Sequence, residues 1–328
     1  MRTTLLRSGL AGFALIALTG VIGGPATAQT YPAKPVKVIV PYPPGGGVDP
    51  VARIIAQKLS ATFGVQFYVE NLPGAGGTLG TGTAANAGAD GYTILFMNPD
   101  FVVQPIIKSK VPYDPFKSFE AVTLIGVSPE MIVVHPSVPA KNMEELIALL
   151  RANPGKYNVA TPGYGTSPHL ASERLFKLSH GLEIVHVPFQ GGAPAIASTI
   201  AGHTTILHLS MSTLAPHIKQ GTLRALAVTG NKRSRAFPDV PTLEESGIPH
   251  HEVEYMIGVA TPAKTGTEII NLLQGKIAAI VSLPEIKERL IALGLEPVAS
   301  TPEEFSAKLK EDFATWSKVV RDANIKID

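Results

Sequence analysis

Four times along the chain a short apolar run gives way to a glycine-bearing turn and then to a helical pattern. The first is "VKVIVPYPPGGGVDPVARIIAQKLS" (Val36 to Ser60), in which Val51, Ile54, Ile55, Leu59 and Thr62/Phe63 keep 3.6-residue spacing. "VQFYVENLPGAGGTLGTGTAANA" gives a strand over Gln66 to Glu70 and a helix from about Thr78, and Gly91 to Met97 reads as the next strand. After residue 155 the grammar returns. "KYNVATPGYGTSPHLASERLFKLS" gives a strand over Tyr157 to Thr161 and a helix from about Pro168; "LEIVHVPFQGGAPAIASTIAG" gives a strand over Glu183 to Val187 and a helix from about Ala193. Strands alternating with helices predict α/β architecture with largely parallel sheets. Two units before residue 100 and two after 155 predict two lobes facing one cleft, because open sheets bind ligands beyond the carboxyl ends of their strands.

The N-terminus carries Arg2 and Arg7, an apolar run from Gly9 to Ile22, and Ala26-Thr27-Ala28. That order predicts a secretory signal peptide over 1–28, with the mature chain starting at Gln29. The apolar run is shorter than the roughly 20 residues a spanning helix needs, and no comparable stretch follows, so the expected location is the periplasm, in soluble form. The chain has no cysteine, which removes a lipid anchor, disulfides and thiol chemistry. Without Arg2 and Arg7 the 28 basic residues become 26 against 26 acidic ones. A neutral chain with no basic stripe argues against nucleic acid. Some 300 mature residues favour more than one core.

The chemistry follows from the loops. First-turn N–H groups lack intrahelical partners and carry partial positive charge, so a helix start favours an anion, and glycine lets the backbone approach it. Four to six charge-assisted hydrogen bonds reach about 8 kcal/mol after association costs, roughly a micromolar Kd. A small carboxylate suits this provision. A nucleotide does not: no loop has the Walker GK[ST], and the one G-x-G-x-x-A string, Gly80 to Ala85, lies inside a helix. Asp49 and Pro50 suit N-cap and N1 positions, so Asp49 either caps its own helix or holds a water, hydroxyl or amine of a ligand. Thr166, Ser167 and His169 crowd the third helix start, to bind an anion or to cap. Asp49, Ser167 and His169 also suggest a serine hydrolase, but no G-x-S-x-G elbow exists and no catalysis is expected. None of the nine histidines has H-E-x-x-H spacing, and with no acid and histidine cluster of ligand spacing neither a metal nor a cofactor is expected. "PTLEESG" and "TPEEFSAKLKEDFATW" read as structural helix starts, with Phe313 and Trp316 packing inward.

Taken together, "KPVKVIVPYPPGGGVD", "ENLPGAGGTLG", "DGYTIL", "VPYDPFKSFEAVTLIG", "TPGYGTSPHLASERLF", "VPFQGGAPAIASTIAG" and "FPDVPTLEESG" closely resemble the Bug family, the substrate-binding proteins of tripartite tricarboxylate transporters. The resemblance covers essentially the whole mature chain. It implies a two-lobed α/β binding protein of the type 2-like, venus flytrap kind, each lobe a mostly parallel sheet flanked by helices, closing on a small carboxylate. The partners it implies are a membrane transporter or, alternatively, a membrane sensor; the chain itself is expected to be monomeric. Its ligand contacts fall here on Pro44, Gly45, Gly46, Gly47 and Asp49; on Gly74, Ala75, Gly76, Gly77 and Thr78; on Gly163, Gly165, Thr166, Ser167 and His169; and on Phe189, Gln190 and Gly191 as walls. The family's two crossings fall near Gly126 to Val134 and Val253 to Ala260, dividing the chain into lobe one (29–130 with 255–328) and lobe two (131–254). Met256, where relatives commonly carry tryptophan, and Gly266, where they carry proline, are departures that bear on the cleft wall and on closure.

Overall fold

The computed structural model describes residues 31–322 except His250 and Glu252; the signal segment expected over 1–28 lies outside the described residues. The first half opens with β1 (Val36–Val40), α1 (Val48–Phe63), β2 (Phe67–Asn71), a 3-10 turn (Ala75–Gly77), α2 (Thr78–Ala85), β3 (Thr93–Met97) and α3 (Asp100–Ile107). A long strand follows, β4 (Phe119–Val134). Next come α4 (Met143–Ala152), β5 (Asn158–Thr161), α5 (Ser167–Ser172) with a π-helical continuation (Glu173–Leu178), β6 (Val185–Pro188) and α6 (Gly192–Ile200). β7 (Ile206–Ser210), α7 (Met211–Lys219) and β8 (Arg224–Val228) complete that half. The chain ends with β9 (Glu254–Pro262), α8 (Thr267–Ser282), α9 (Pro284–Ala292), β10 (Glu296–Pro297) and α10 (Pro302–Asp322).

All four strand, glycine-loop and helix units are present, with ends displaced by a few residues at most from the sequence reading, as fraying termini allow. One displacement matters. Helix α1 begins at Val48 behind Gly47, so Asp49 sits inside the first turn and is not the N-cap. A glycine can take the cap position with no side chain at all, and that frees the carboxylate to reach backward.

The strands run β2-β1-β3-β9-β4-β7-β5-β6 across one sheet, with β8 and β10 also on β4. β1 lies parallel to β2 and β3, and β5 lies parallel to β6 and β7. The parallel arrangement is therefore confined to three strands at each end. β4 and β9 join antiparallel, because they are the strands by which the chain passes from one half to the other. Phe119 to Pro129 of β4 pair with β9, whereas Glu130 to Val134 pair with β7 and β8, so one 16-residue strand belongs to both lobes. No single helix among the described residues is long and apolar enough to cross a membrane.

Buried apolar side chains gather in clusters in both halves, and Leu170 and Ala171 of α5 join the cluster of the first half. In the first, Ile39, Leu95, Met97, Phe101, Phe119, Met256 and Phe305 cluster with Trp316 of α10, and Phe313 packs partly buried against them. In the second, the tail of β4 divides by strand alternation: Ile132 and Val134 join Leu146, Val159 and Phe176, while Met131 and Val133 join Leu207, Leu209 and Leu214. Burial on both faces is why these strands read as continuous apolar runs. Gly258 of β9 is set by packing: a Cβ there would come 2.0 Å from the Phe305 ring. Met256 is buried in the first core, and Gly266 caps α8 away from the loops, so neither departure faces the cleft.

Candidate functional site

Because the parallel strands of each lobe point their carboxyl ends at the same gap, the four glycine loops meet there around a cavity of about 370 Å³. Of the residues nominated from sequence, Gly46, Gly47, Gly74, Ala75, Gly76, Gly77, Gly163, Thr166, Phe189, Gln190 and Gly191 line it. Pro44, Gly45, Asp49, Thr78, Gly165, Ser167 and His169 do not. Pro44 and Gly45 are exposed on the outer bend of the first loop, and Thr78 is buried with its hydroxyl on Ala75 O.

The second loop shows why glycine is needed. Gly74, Ala75, Gly76 and Gly77 all have positive φ, from 51° to 141°, a run that L side chains resist and that curls the backbone around the cavity edge. The helices that start at the cavity, α1, α2, α5 and α6, have no side-chain cap hydrogen bond. At α4, by contrast, Asn142 accepts from the Glu145 amide as an ordinary N-cap. Some amides of the four loops are nonetheless spent: Gly45 N–H on Asp49 Oδ2, Gly165 N–H on His169 Nδ1, Ser167 N–H on Asp100 Oδ1 and Gly191 N–H on Pro162 O. The N–H groups of Gly47, Ala75, Gly76, Tyr164 and Gln190, all lining residues, have no acceptor among the described residues.

Asp49 is buried and does its work behind the loops. Its carboxylate accepts from Gly45 N–H at 3.1 Å, Arg53 Nε at 3.1 Å and Asn71 Nδ2 at 2.9 Å, and Asn71 Nδ2 also reaches Tyr42 O. Burial acts to raise its pKa, but the bonds from Arg53, Asn71 and Gly45 outweigh that and hold it below the ordinary carboxylate range. It fastens the first loop to the strand end that leads into the second.

The floor of the cavity was not legible in the sequence. Tyr42, Asn98, Asp100, Ser210, Thr213 and Tyr255 line it, with Lys108. Tyr42 O–H donates to Asn98 Oδ1, Asn98 Nδ2 donates to Tyr255 OH at 3.3 Å, and Ser210 and Thr213 hydroxyls lie 2.8 Å apart. Burial, with the Asp100 carboxyl nearby, raises the phenols of Tyr42 and Tyr255 above their ordinary range. Asp100 itself is pushed up to about 7 by burial, against hydrogen bonds from the Ser167 amide and Asn98 and with the Glu130 charge adding to the rise. Lys108 Nζ donates to Ala75 O at 2.7 Å, and burial lowers its pKa. An N-P-D string opening a helix carries no pattern that would have marked these residues; their convergence comes from four separate segments.

The two sides touch. Gln104 Nε2 of α3 donates to Gly165 O at 2.9 Å, and Ser167 N–H reaches Asp100 at 2.8 Å. A Cβ at Gly47 would meet Thr213 Oγ1 at 2.8 Å, and one at Gly191 would meet Pro43. Glycine thus permits the close approach. Behind Ser167, its hydroxyl lies 3.4 Å from Glu130 Oε1, and Glu130 Oε2 of β4 lies 3.1 Å from His208 Nε2 of the neighbouring β7.

The fold also overturns one reading of the histidines. His169, Glu173 and His186 bring donor atoms within 4.8 Å of one another, an acid and histidine cluster that sequence spacing does not show because His186 arrives on β6. Two of its contacts are made within the fold, while His186 Nδ1 is buried with no hydrogen-bond partner among the described residues. His186 Nε2 lies 2.7 Å from Glu173 Oε1, and His169 Nδ1 accepts the Gly165 amide, so in the neutral ring its other nitrogen carries the proton. Burial, with His186 alongside, lowers His169 to about 4, so that ring is neutral across physiological pH. His169 therefore braces the third loop from beneath.

The sequence profile described as tripartite tricarboxylate transporter family receptor matches residues 51–325. BugT of Bordetella pertussis is 33% identical over 320 residues, covering 97% of this chain and 98% of that protein. Among solved structures, Rpa4515 of R. palustris with adipate is 30% identical with a TM-score of 0.87, covering 90% of this chain and 99% of that one. MatC of Rhodopseudomonas palustris with bound malate is 27% identical with a TM-score of 0.83, covering 88% and 100%.

Proposed function

The chain belongs to the tripartite tricarboxylate transporter receptor family, and from that premise we propose that it is a periplasmic receptor that holds a small organic carboxylate between its lobes and delivers it to a membrane transporter. The observation that carries this reading is the set of unspent amides. Gly47, Ala75, Gly76, Tyr164 and Gln190 bring N–H donors from all four loops to one cavity, where the ligand they suit is rich in acceptor oxygens. The adipate and malate in the two solved relatives are of that class. Gly46, Gly74, Gly77, Gly163, Thr166, Phe189 and Gly191 shape the wall, and Asp49, Gly165, Ser167 and His169 hold the loops in place. Residues 1–28 serve as the export signal. Lobe one comprises 29–130 with 255–328 and lobe two 131–254, a division supported by the change of pairing between Pro129 and Glu130 and by the start of β9 at Glu254. The receptor acts as a monomer without catalysis.

Backbone amides suit a transport receptor because they bind without a fixed cationic clamp, which would favour phosphates and slow release. The test is thermal unfolding with acetate, benzoate, succinate, adipate and malate. A binding acid at a hundredfold excess over its Kd adds about 2.7 kcal/mol of stability. Gly46 has no positive φ, and a Cβ there meets only Pro43 O at 3.4 Å, so the backbone accepts a side chain and Gly46→Asp sets a negative charge against the ligand. That variant is expected to lose the stabilisation completely; an unchanged affinity would sink the assignment of the loops.

A further inference from the structure

The cavity contains a carboxylate of its own. Asp100 opens α3 at the end of β3, is 4% exposed, and lines the cavity beside the amide-bearing loops. One of its oxygens accepts the Ser167 amide from the opposite lobe at 2.8 Å. On the far side of Ser167 stands a second buried carboxylate, Glu130, 3.4 Å from the serine hydroxyl. No lysine or arginine forms an ion pair with Asp100 among the described residues, in contrast to Asp49 with Arg53. The titratable groups facing it are Tyr42, Tyr113 and Tyr255, whose phenols are raised and neutral, Glu130 on β4, and Lys108, the C-cap of its own helix, whose charge acts to lower Asp100 while its ammonium donates to Ala75 O.

An anionic ligand entering here would therefore bring a further negative charge into a space that already holds one and lies next to another. Lys108 offsets part of that repulsion, but its ammonium is held on Ala75 O and makes no ion pair with Asp100 among the described residues, so the remainder is relieved most directly by protonating Asp100.

We infer that Asp100 takes up one proton as the ligand carboxylate enters and then donates its O–H to a ligand oxygen, so that this receptor binds its anion together with a proton. The balance is simple: ligand carboxylate, ionised Asp100 and one proton from water become a carboxylate hydrogen-bonded to a neutral carboxylic acid. The inference rests on the carboxylate reading and goes further, since it assigns Asp100 the role of selecting an anion over a cation at the cavity floor. The pKa of about 7 already present without ligand places the uptake within the physiological range.

The direction of the pH effect follows. Below about 7 Asp100 is already protonated and the affinity is flat; above it each pH unit weakens binding up to tenfold, until the pKa of the complex is reached. The test uses calorimetry with the tightest-binding acid of the panel at about pH 6 and about pH 8.5, and in phosphate and Tris buffers near pH 7.5, whose ionisation heats differ. The expected result is a Kd at least roughly tenfold weaker at the higher pH, with heats that differ between buffers by net proton uptake. Asp100→Asn, which carries a fixed donor, is expected to bind at least roughly tenfold more tightly than the natural chain at the higher pH and to lose the dependence. A wild-type Kd independent of pH, or binding without proton uptake, overturns the inference and leaves the carboxylate reading standing. Weaker binding by Asp100→Asn at both pH values overturns it too, because it marks an ionised Asp100 holding a cationic or hydroxyl group. If that variant fails to fold, the buffer heats of the natural chain decide alone. No binding of any acid at either pH removes both readings.

Discussion

Two aspartates stand in the first turns of two helices in the same lobe, both almost fully buried, and the fold puts them in opposite electrostatic states. Asp49 in α1 has Arg53 one turn later, Asn71 across the sheet and the Gly45 amide before it, and is held below the usual carboxylate range. Asp100 in α3 has the Ser167 amide and Asn98 but no ion-pair partner among the described residues, feels Lys108 only at a distance, lies near Glu130, and is raised to about 7. Burial alone does not decide the state of a carboxylate. The donors aimed at it do, and at α1 they include a guanidinium. It also separates two tasks: Asp49 organises the loops and is best left ionised, whereas Asp100 faces the cavity and can change charge.

The same substitution at both sites has opposite effects on stability. For Asp100 the folded pKa lies above the unfolded one, so the folded state retains a proton between about pH 4 and 7 that the unfolded chain releases. Stability therefore falls as pH rises through that window. Asp100→Asn removes the fall, and urea unfolding is expected to show it more stable than the natural chain by roughly 3–4 kcal/mol at alkaline pH, with the difference shrinking toward pH 4. Asp49 behaves in the opposite sense, since its depressed pKa contributes stability above the unfolded pKa that is lost as pH falls through the folded one. Asp49→Asn leaves Gly45 N–H, Arg53 and Asn71 facing a neutral amide, and is expected to destabilise by about 2 kcal/mol at pH 7. A gain there would mean that the ion pair contributes nothing. Arg53 is half exposed, so Arg53→Gln is expected to cost only about 1 kcal/mol or less while moving Asp49 upward toward the condition of Asp100. Titration of the Asp49 carboxyl by NMR checks the direction.

The legibility of the site divides along the same line. The loops could be read because glycine is a local signal: Gly74, Gly76 and Gly77 stand where positive φ is required, and local geometry is written in consecutive residues. Asp49 drew attention for its place at a helix start, yet its role came from Asn71, 22 residues away. Asp100 drew none, since its environment is assembled from Ser167 and Glu130, which are distant in sequence. The cluster of His169, Glu173 and His186 was missed for the same reason.

By itself the sequence determined the alternation of strands and helices, the four glycine loops and the grouping of those loops into two halves, because hydrophobic period and φ preference act over a few neighbouring residues. It also carried the family, through motifs spread over the whole mature chain. Which amides remain unspent, which residues form the cavity floor and which of two aspartates is paired emerge only on folding. Those properties depend on desolvation and on hydrogen-bond partners brought together across β4 and β9, and no spacing along the chain encodes them.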